Sequence, residues 1–307
     1  MTSSTNFARQ SPEMSESRTT LHHRAEALAA TLPPLLVAAE RVASTVAQGV
    51  HGRRRVGQGD TFWQYRRYDG SEAANRIDWR QSAKTQRVFV RETEWEAAQS
   101  VWLWRDASAS MSYRSSDDLP TKNARANLVV LALASLLVRG GEHIAFSGSG
   151  IPPGSGRAAL MRIAELIETG HAETAGLPTI EPLPRYARIV IVGDFLAPLS
   201  EIATIVGAYA ARGVRGHLLQ ILDPAEETLP FGGRIEFEGP ENEGRVLIGN
   251  VETVRDDYAD ALAAHRRGLH ALARKSGWTF ATHRTDRPTE TPLLSLFLAL
   301  SKPGSGT

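Results

Sequence analysis

A chain of 307 residues with 42% apolar side chains is long enough for one large α/β domain or two smaller domains with a real core. Its 35 Lys/Arg against 34 Asp/Glu leave a formal charge of +1, so no overall field favours nucleic acid or an anionic membrane as the main partner. The lack of cysteine excludes disulfides, thiolate metal sites and cysteine nucleophiles together.

Residues 1–20 are polar, without the apolar core of a signal peptide, and predict a disordered tail. Residues 21–48 carry Leu, Ala and Val at helical spacing, interrupted by Pro33 and Pro34, which predicts helices on either side of the prolines. The texture changes over residues 49–96, where arginine, aromatics and turn residues predict a β and irregular subregion. Phe62, Trp63, Tyr65, Tyr68 and Trp79 interleave with the arginines, so the block 50–91 could stack on and neutralise a single-stranded nucleic acid. The competing reading is structural. Arg76, Asp78 and Arg80 alternate with Ile77 and Trp79, the pattern of a half-buried strand with paired charges, and it is the preferred one.

Residues 97–302 alternate between strand and helix patterns. Strands are predicted at 100–105, 142–147, 187–193, 215–222 and 277–283. Between them lie helical segments: TKNARANLVVLALASLLVRGG with Thr121 as N-cap and Gly140 and Gly141 at its end, then RAALMRIAELIETG, SEIATIVGAYAARG and VRDDYADALAAHRRGLHALARKSG. The stretch 229–250 reads as a hairpin, and PLLSLFLAL as a short closing helix. Short connections favour a doubly wound, mainly parallel sheet. The longest apolar run, 128–138, falls well short of the roughly 20 residues that span a bilayer, so it predicts a buried helix in a cytoplasmic protein.

The chemistry gathers where strands end. Asp106, Asp194, Asp223 and Asp286 each follow an apolar strand, and open α/β sheets assemble functional groups outside the carboxyl ends of their strands. Asp223 precedes Pro224 and reads first as a helix cap. In LWRDASASM the alternate spacing of Asp106, Ser108 and Ser110 can converge three oxygens on one point. With Asp194 these would form a half-open site for a hard cation, Mg²⁺ or Mn²⁺. An enzymatic alternative makes Asp106 the nucleophile of a haloacid-dehalogenase-like phosphatase. That chemistry requires a second aspartate two residues on, where Ser108 stands. The glycine-rich GSGIPPGSG lacks the Lys-Ser/Thr of a phosphate loop, and the histidines show no zinc spacing.

DASAS resembles the D-x-S-x-S motif of von Willebrand factor A domains, whose adhesion site bridges a cation to an acidic ligand. The flanking segments FWQYRRYDGSEAANRIDWRQSAKTQRVFVRETEWE, TKNARA and VGDF are similar to the bacterial family known as domain of unknown function 58. That resemblance covers residues 50–290 and implies a von Willebrand factor A-like domain. It further implies a metal site at Asp106, Ser108, Ser110 and Asp194, and a non-enzymatic role beside a MoxR-type AAA+ ATPase or its client protein. Two departures stand out. The loop threonine of such sites has only Ser149 and Ser155 as substitutes here, and DGSEAANRIDW lacks the usual Gly-Asp pair.

Overall fold

The computed structural model describes residues 34–50, 62–67, 79–84, 88–93, 100–170, 176–239 and 244–300. The predicted tail and residues 21–33 lie outside them. Helix α1 (Pro34–Val50) starts at its proline, which suits the first helical position because its missing N–H would have no partner there. Leu36, Ala39, Ala43 and Val46 line its buried face.

Strands β1 (Phe62–Arg67) and β2 (Phe89–Thr93) pair antiparallel, with Tyr65 opposite Arg91. Between them Trp79–Ser82 forms a single helical turn, α2, and Trp79 is 65% exposed. The half-buried strand expected here is therefore absent from its described part. Local bonds favour the turn: Ala83 N donates to Trp79 O at 2.9 Å, and Ser82 Oγ accepts from Phe89 N at 2.9 Å. Residues 76–78 and the arginines at 53–55 lie outside the described residues.

From residue 100 the chain alternates as expected. In order come β3 (Ser100–Arg105), α3 (Lys122–Arg139), β4 (His143–Phe146), α4 (Gly156–Glu168), β5 (Arg188–Gly193) and α5 (Leu199–Ala211). There follow β6 (Arg215–Leu222), α6 (Pro224–Thr228), β7 (Ile235–Glu238), β8 (Arg245–Ile248), α7 (Arg255–Lys275), β9 (Thr279–Arg284) and α8 (Glu290–Leu300). Thr121 caps α3 by accepting from Ala124 N, and Gly140 ends that helix. Strands β7 and β8 form the predicted hairpin.

Five strands form one parallel sheet in the order β4-β3-β5-β6-β9. Strand side chains alternate between faces, yet the strands read as continuous apolar runs because both faces are covered. Val101, Leu103, Val190, Val192, Leu219 and Ile221 pack toward α1, α3, α4 and α8. Trp102, Trp104, Ile189, Ile191 and Leu218 pack with Ile202, Val206 and Tyr209 of α5 and Leu269 and Ala273 of α7. This is a doubly wound α/β arrangement. Gly216 leaves room for the buried Trp278 ring: a Cβ there would lie 2.0 Å from ring atom Cε3.

The chain leaves β3 for β4 on one side, then crosses to β5 on the other. The switch in strand order therefore falls between β3 and β5, the position where such sheets open a crevice at their carboxyl ends.

Candidate functional site at the strand ends

All four candidate residues sit at that switch. Asp106 follows β3, and its backbone N continues the ladder by donating to Val192 O at 2.8 Å. The neighbouring strand ends in Gly193, and the missing side chain lets Asp106 approach: a Cβ on Gly193 would lie 3.0 Å from Asp106 Cβ and 3.2 Å from Oδ2. Asp106 is fully buried, and its Oδ1 accepts from Ser108 N at 2.8 Å, closing a turn that brings the serines back over the strand end.

The serines then link the two strand ends. Ser108 Oγ and Ser110 Oγ are 3.0 Å apart, and Ser110 Oγ donates to Asp194 Oδ2 at 2.7 Å. Asp194 itself is aimed by a backbone held from several sides. Its carbonyl accepts from Gln220 Nε2 at 2.8 Å, and the next residue, Phe195, takes φ 51, a left-handed conformation unusual for a bulky side chain. Phe195 is buried, and its carbonyl lies 2.6 Å from His265 Nε2. Packing and hydrogen bonds hold this turn in place.

A cation from the chain itself joins the cluster. Lys122 Nζ donates to Asp194 Oδ2 at 2.9 Å and to Glu226 Oε1 at 2.6 Å, and its side chain is wholly buried. Burial alone would lower the lysine pKa, but the Asp194 and Glu226 carboxylates outweigh it and raise the pKa above its ordinary value. Burial holds the Glu226 carboxyl above its usual range despite the ammonium. Glu226 is positioned by the capping box that opens α6. Its Oε2 accepts from Asp223 N at 2.7 Å, while Asp223 Oδ1 accepts from Ala225 N at 2.8 Å.

Asp223 thus plays the cap role expected of it and also accepts from Ser115 N at 3.0 Å, tying down the loop after the serines. Asp286 does not join the site. Both its carboxylate oxygens accept from Arg284, at 2.7 Å each. Ser149 is engaged within its own loop, donating to Phe146 O at 2.6 Å, and Ser155 stands exposed at the start of α4.

Sequence reasoning placed the four candidates and missed Lys122 and Glu226. A signal was present for the lysine. It occupies the first position of α3, next to the positive end of the helix dipole, where a cation is disfavoured unless carboxylates approach it.

The donor set can be tested against the Mg²⁺ or Mn²⁺ that the resemblance implies. The hydroxyls of Ser108 and Ser110 and the carboxylates of Asp106 and Asp194 are the right hard oxygens. Asp194 Oδ2, however, is already shared between Ser110 and the Lys122 ammonium. A divalent ion taking that oxygen would have to displace the ammonium and the hydroxyl or lie close to the ammonium, where repulsion of roughly 8 kcal/mol at about 4 Å and an effective dielectric of about 20 would offset part of the carboxylates' attraction. As arranged, the residues do not fit a divalent ion.

A groove of about 630 Å³ lies at the opposite end of the sheet, between α7 and the start of β9, lined by Arg267, His270, Arg274, Trp278 and Phe280. At the strand ends, Leu196 (48% exposed) and Tyr113 (36% exposed) flank the buried cluster. Among the described residues no helix is long and apolar enough to cross a membrane.

The chain is similar to known proteins over most of its length. Uncharacterized proteins of Mycobacterium bovis and Mycobacterium tuberculosis are each 28% identical to it over 276 residues, covering 85% of this chain and 86% of theirs. An uncharacterized protein of Mycobacterium avium is 34% identical over 106 residues, covering 34% of this chain and 62% of its own. A solved structure described as conserved hypothetical protein BatB from Bacteroides thetaiotaomicron superposes with a TM-score of 0.40 at 14% identity, covering 67% of this chain and 100% of its own. Residues 64–268 match one protein family, a span that includes the sheet through β6, the DASAS turn, Lys122, Asp194 and Glu226, and the chain belongs to that family, described as Protein of unknown function DUF58.

Proposed function

We propose that this chain is a non-enzymatic protein-interaction module that binds a partner through the strand-end surface around Asp106, Ser108, Ser110 and Asp194. The observation that carries this reading is the convergence of those four side chains at the switch point of the sheet, with Leu196 and Tyr113 exposed beside them. The von Willebrand factor A-like character of the domain and the partner, a MoxR-type AAA+ ATPase or its client, come from the family resemblance. The metal is left out of this reading because the donor set does not fit a divalent ion as arranged. The phosphatase alternative is disfavoured because Asp106 is fully buried, with Oδ1 held by Ser108 N, and an attacking carboxylate must reach its substrate.

The test is a binding measurement between the full chain and the MoxR-type ATPase of its own organism, with Leu196→Asp and Tyr113→Ala as rim variants. The expected result is binding weakened at least tenfold, about 1.4 kcal/mol, with unchanged thermal stability. Unchanged affinity in both variants would remove the rim from the reading. Phosphate release from nucleotides or phosphate monoesters that is lost in Asp106→Asn would replace the reading with the enzymatic one.

A further inference from the structure

The strand-end cluster combines carboxylates, hydroxyls and one ammonium, and the ammonium is the part that no motif announces. Lys122 is the first residue of α3, and its backbone N donates to Tyr113 O at 3.2 Å, so the helix start is pinned against the loop that follows the serines. From there the side chain runs inward, wholly buried, and its Nζ bridges Asp194 Oδ2 and Glu226 Oε1. Those two acids come from different strand ends, Asp194 after β5 and Glu226 in α6 after β6. The oxygen that receives the lysine on Asp194 also receives the Ser110 hydroxyl, which touches Ser108. A single positive charge therefore lies among the oxygens that a hard cation would collect, delivered by a side chain that cannot dissociate.

We propose that Lys122 is the permanent cation of this site: the tethered ammonium takes the place of a divalent metal, so the surface works without Mg²⁺ or Mn²⁺, and the lysine keeps those ions out. Three features support the assignment. The ammonium is wholly buried and donates to two carboxylates, so the lysine is held as an ion and not as a solvated surface charge. Both oxygens of Glu226 are engaged, Oε1 by Lys122 and Oε2 by Asp223 N, which fixes the carboxylate for this one task. Removing the lysine would leave Asp194 and Glu226 without their counter-charge next to Ser108 and Ser110, and that arrangement of hard oxygens suits a divalent ion. The inference concerns the charge of the site and does not depend on what docks there.

The experiment is Mn²⁺ titration of the full chain, reading free hexaaqua Mn²⁺ by electron paramagnetic resonance, for wild type, Ser110→Ala, Asp194→Asn, Lys122→Met and Lys122→Ala. Wild type is expected to take up no saturable Mn²⁺, while Lys122→Met and Lys122→Ala bind one ion and gain melting temperature on adding Mg²⁺, an effect that EDTA reverses. Saturable binding to wild type that is weakened in Ser110→Ala and lost in Asp194→Asn overturns the proposal, because the metal then coexists with the ammonium. Failure of folded Lys122→Met and Lys122→Ala to bind Mn²⁺ also overturns it, since the lysine would then hold no cation's place. Near-ultraviolet circular dichroism reports whether the lysine variants fold. If they do not, the comparison of wild type with Ser110→Ala and Asp194→Asn decides: binding that those substitutions remove overturns the proposal, and its absence supports it.

Discussion

Replacing Gly216 with alanine is expected to destabilise the protein by about 1–3 kcal/mol or more, measured as a lowered midpoint in chemical denaturation. The new Cβ would lie 2.0 Å from the Trp278 ring, and that ring cannot swing aside because its Nε1 donates to Val214 O at 3.1 Å in the core. The same kind of vacancy at Gly193 lets Asp106 sit against the end of β5. Single residues also mark how far the sequence could be read. Asp106, Ser108 and Ser110 were legible because they form one local pattern, and Asp194 because it ends an apolar run. Lys122 and Glu226 were not, because the bond between them joins positions 104 residues apart and the lysine sits in a segment that reads simply as the start of a helix. A charge whose partners lie in distant segments leaves little trace in local spacing beyond its awkward place near a helix N-terminus.

At the scale of elements, the α6 turn does more than its five residues suggest. Asp223→Ala should cost about 1 kcal/mol for the lost cap, and Asp223→Asn should retain most of it, as read from denaturation midpoints. The alanine variant is expected to disturb the site as well, since the lost carboxylate also accepts from Ser115 N and ties down the loop after the serines. The strands of the main sheet matched expectation because runs such as RIVIVG are buried on both faces and admit little else. The segment around Trp79 did not. Its alternation of charge and apolar residue suited a strand, but no strand is formed at Trp79–Ser82, where local hydrogen bonds favour a turn. Alternation specifies a strand only where a sheet is available to receive it.

For the whole molecule, two buried histidines set a limit in acid. His217, which shares a 2.7 Å bond with Thr279 Oγ1, has its pKa pushed down to about 4 by burial, with Arg188 adding to the effect. His283 is likewise lowered to about 4 by burial, with Arg125 contributing and Asp286 opposing. Both are neutral in the folded chain where the unfolded chain would begin to take up protons, near pH 6.5. Their contribution is therefore complete above about pH 6.5 and declines as pH falls toward 4, by up to about 3 kcal/mol for each histidine. Denaturation midpoints measured from pH 7 to 4 should fall, and His217→Gln should flatten part of the slope. The same long-range wiring has a consequence for folding. Ser110 meets Asp194 across 84 residues, Lys122 meets Asp194 across 72, and Ser115 meets Asp223 across 108, so no partly formed stretch of chain can assemble the cluster. Any molecule that recognises these groups together senses assembly: it distinguishes a chain in which the ends of β3, β5 and β6 have come together from one in which they are still apart.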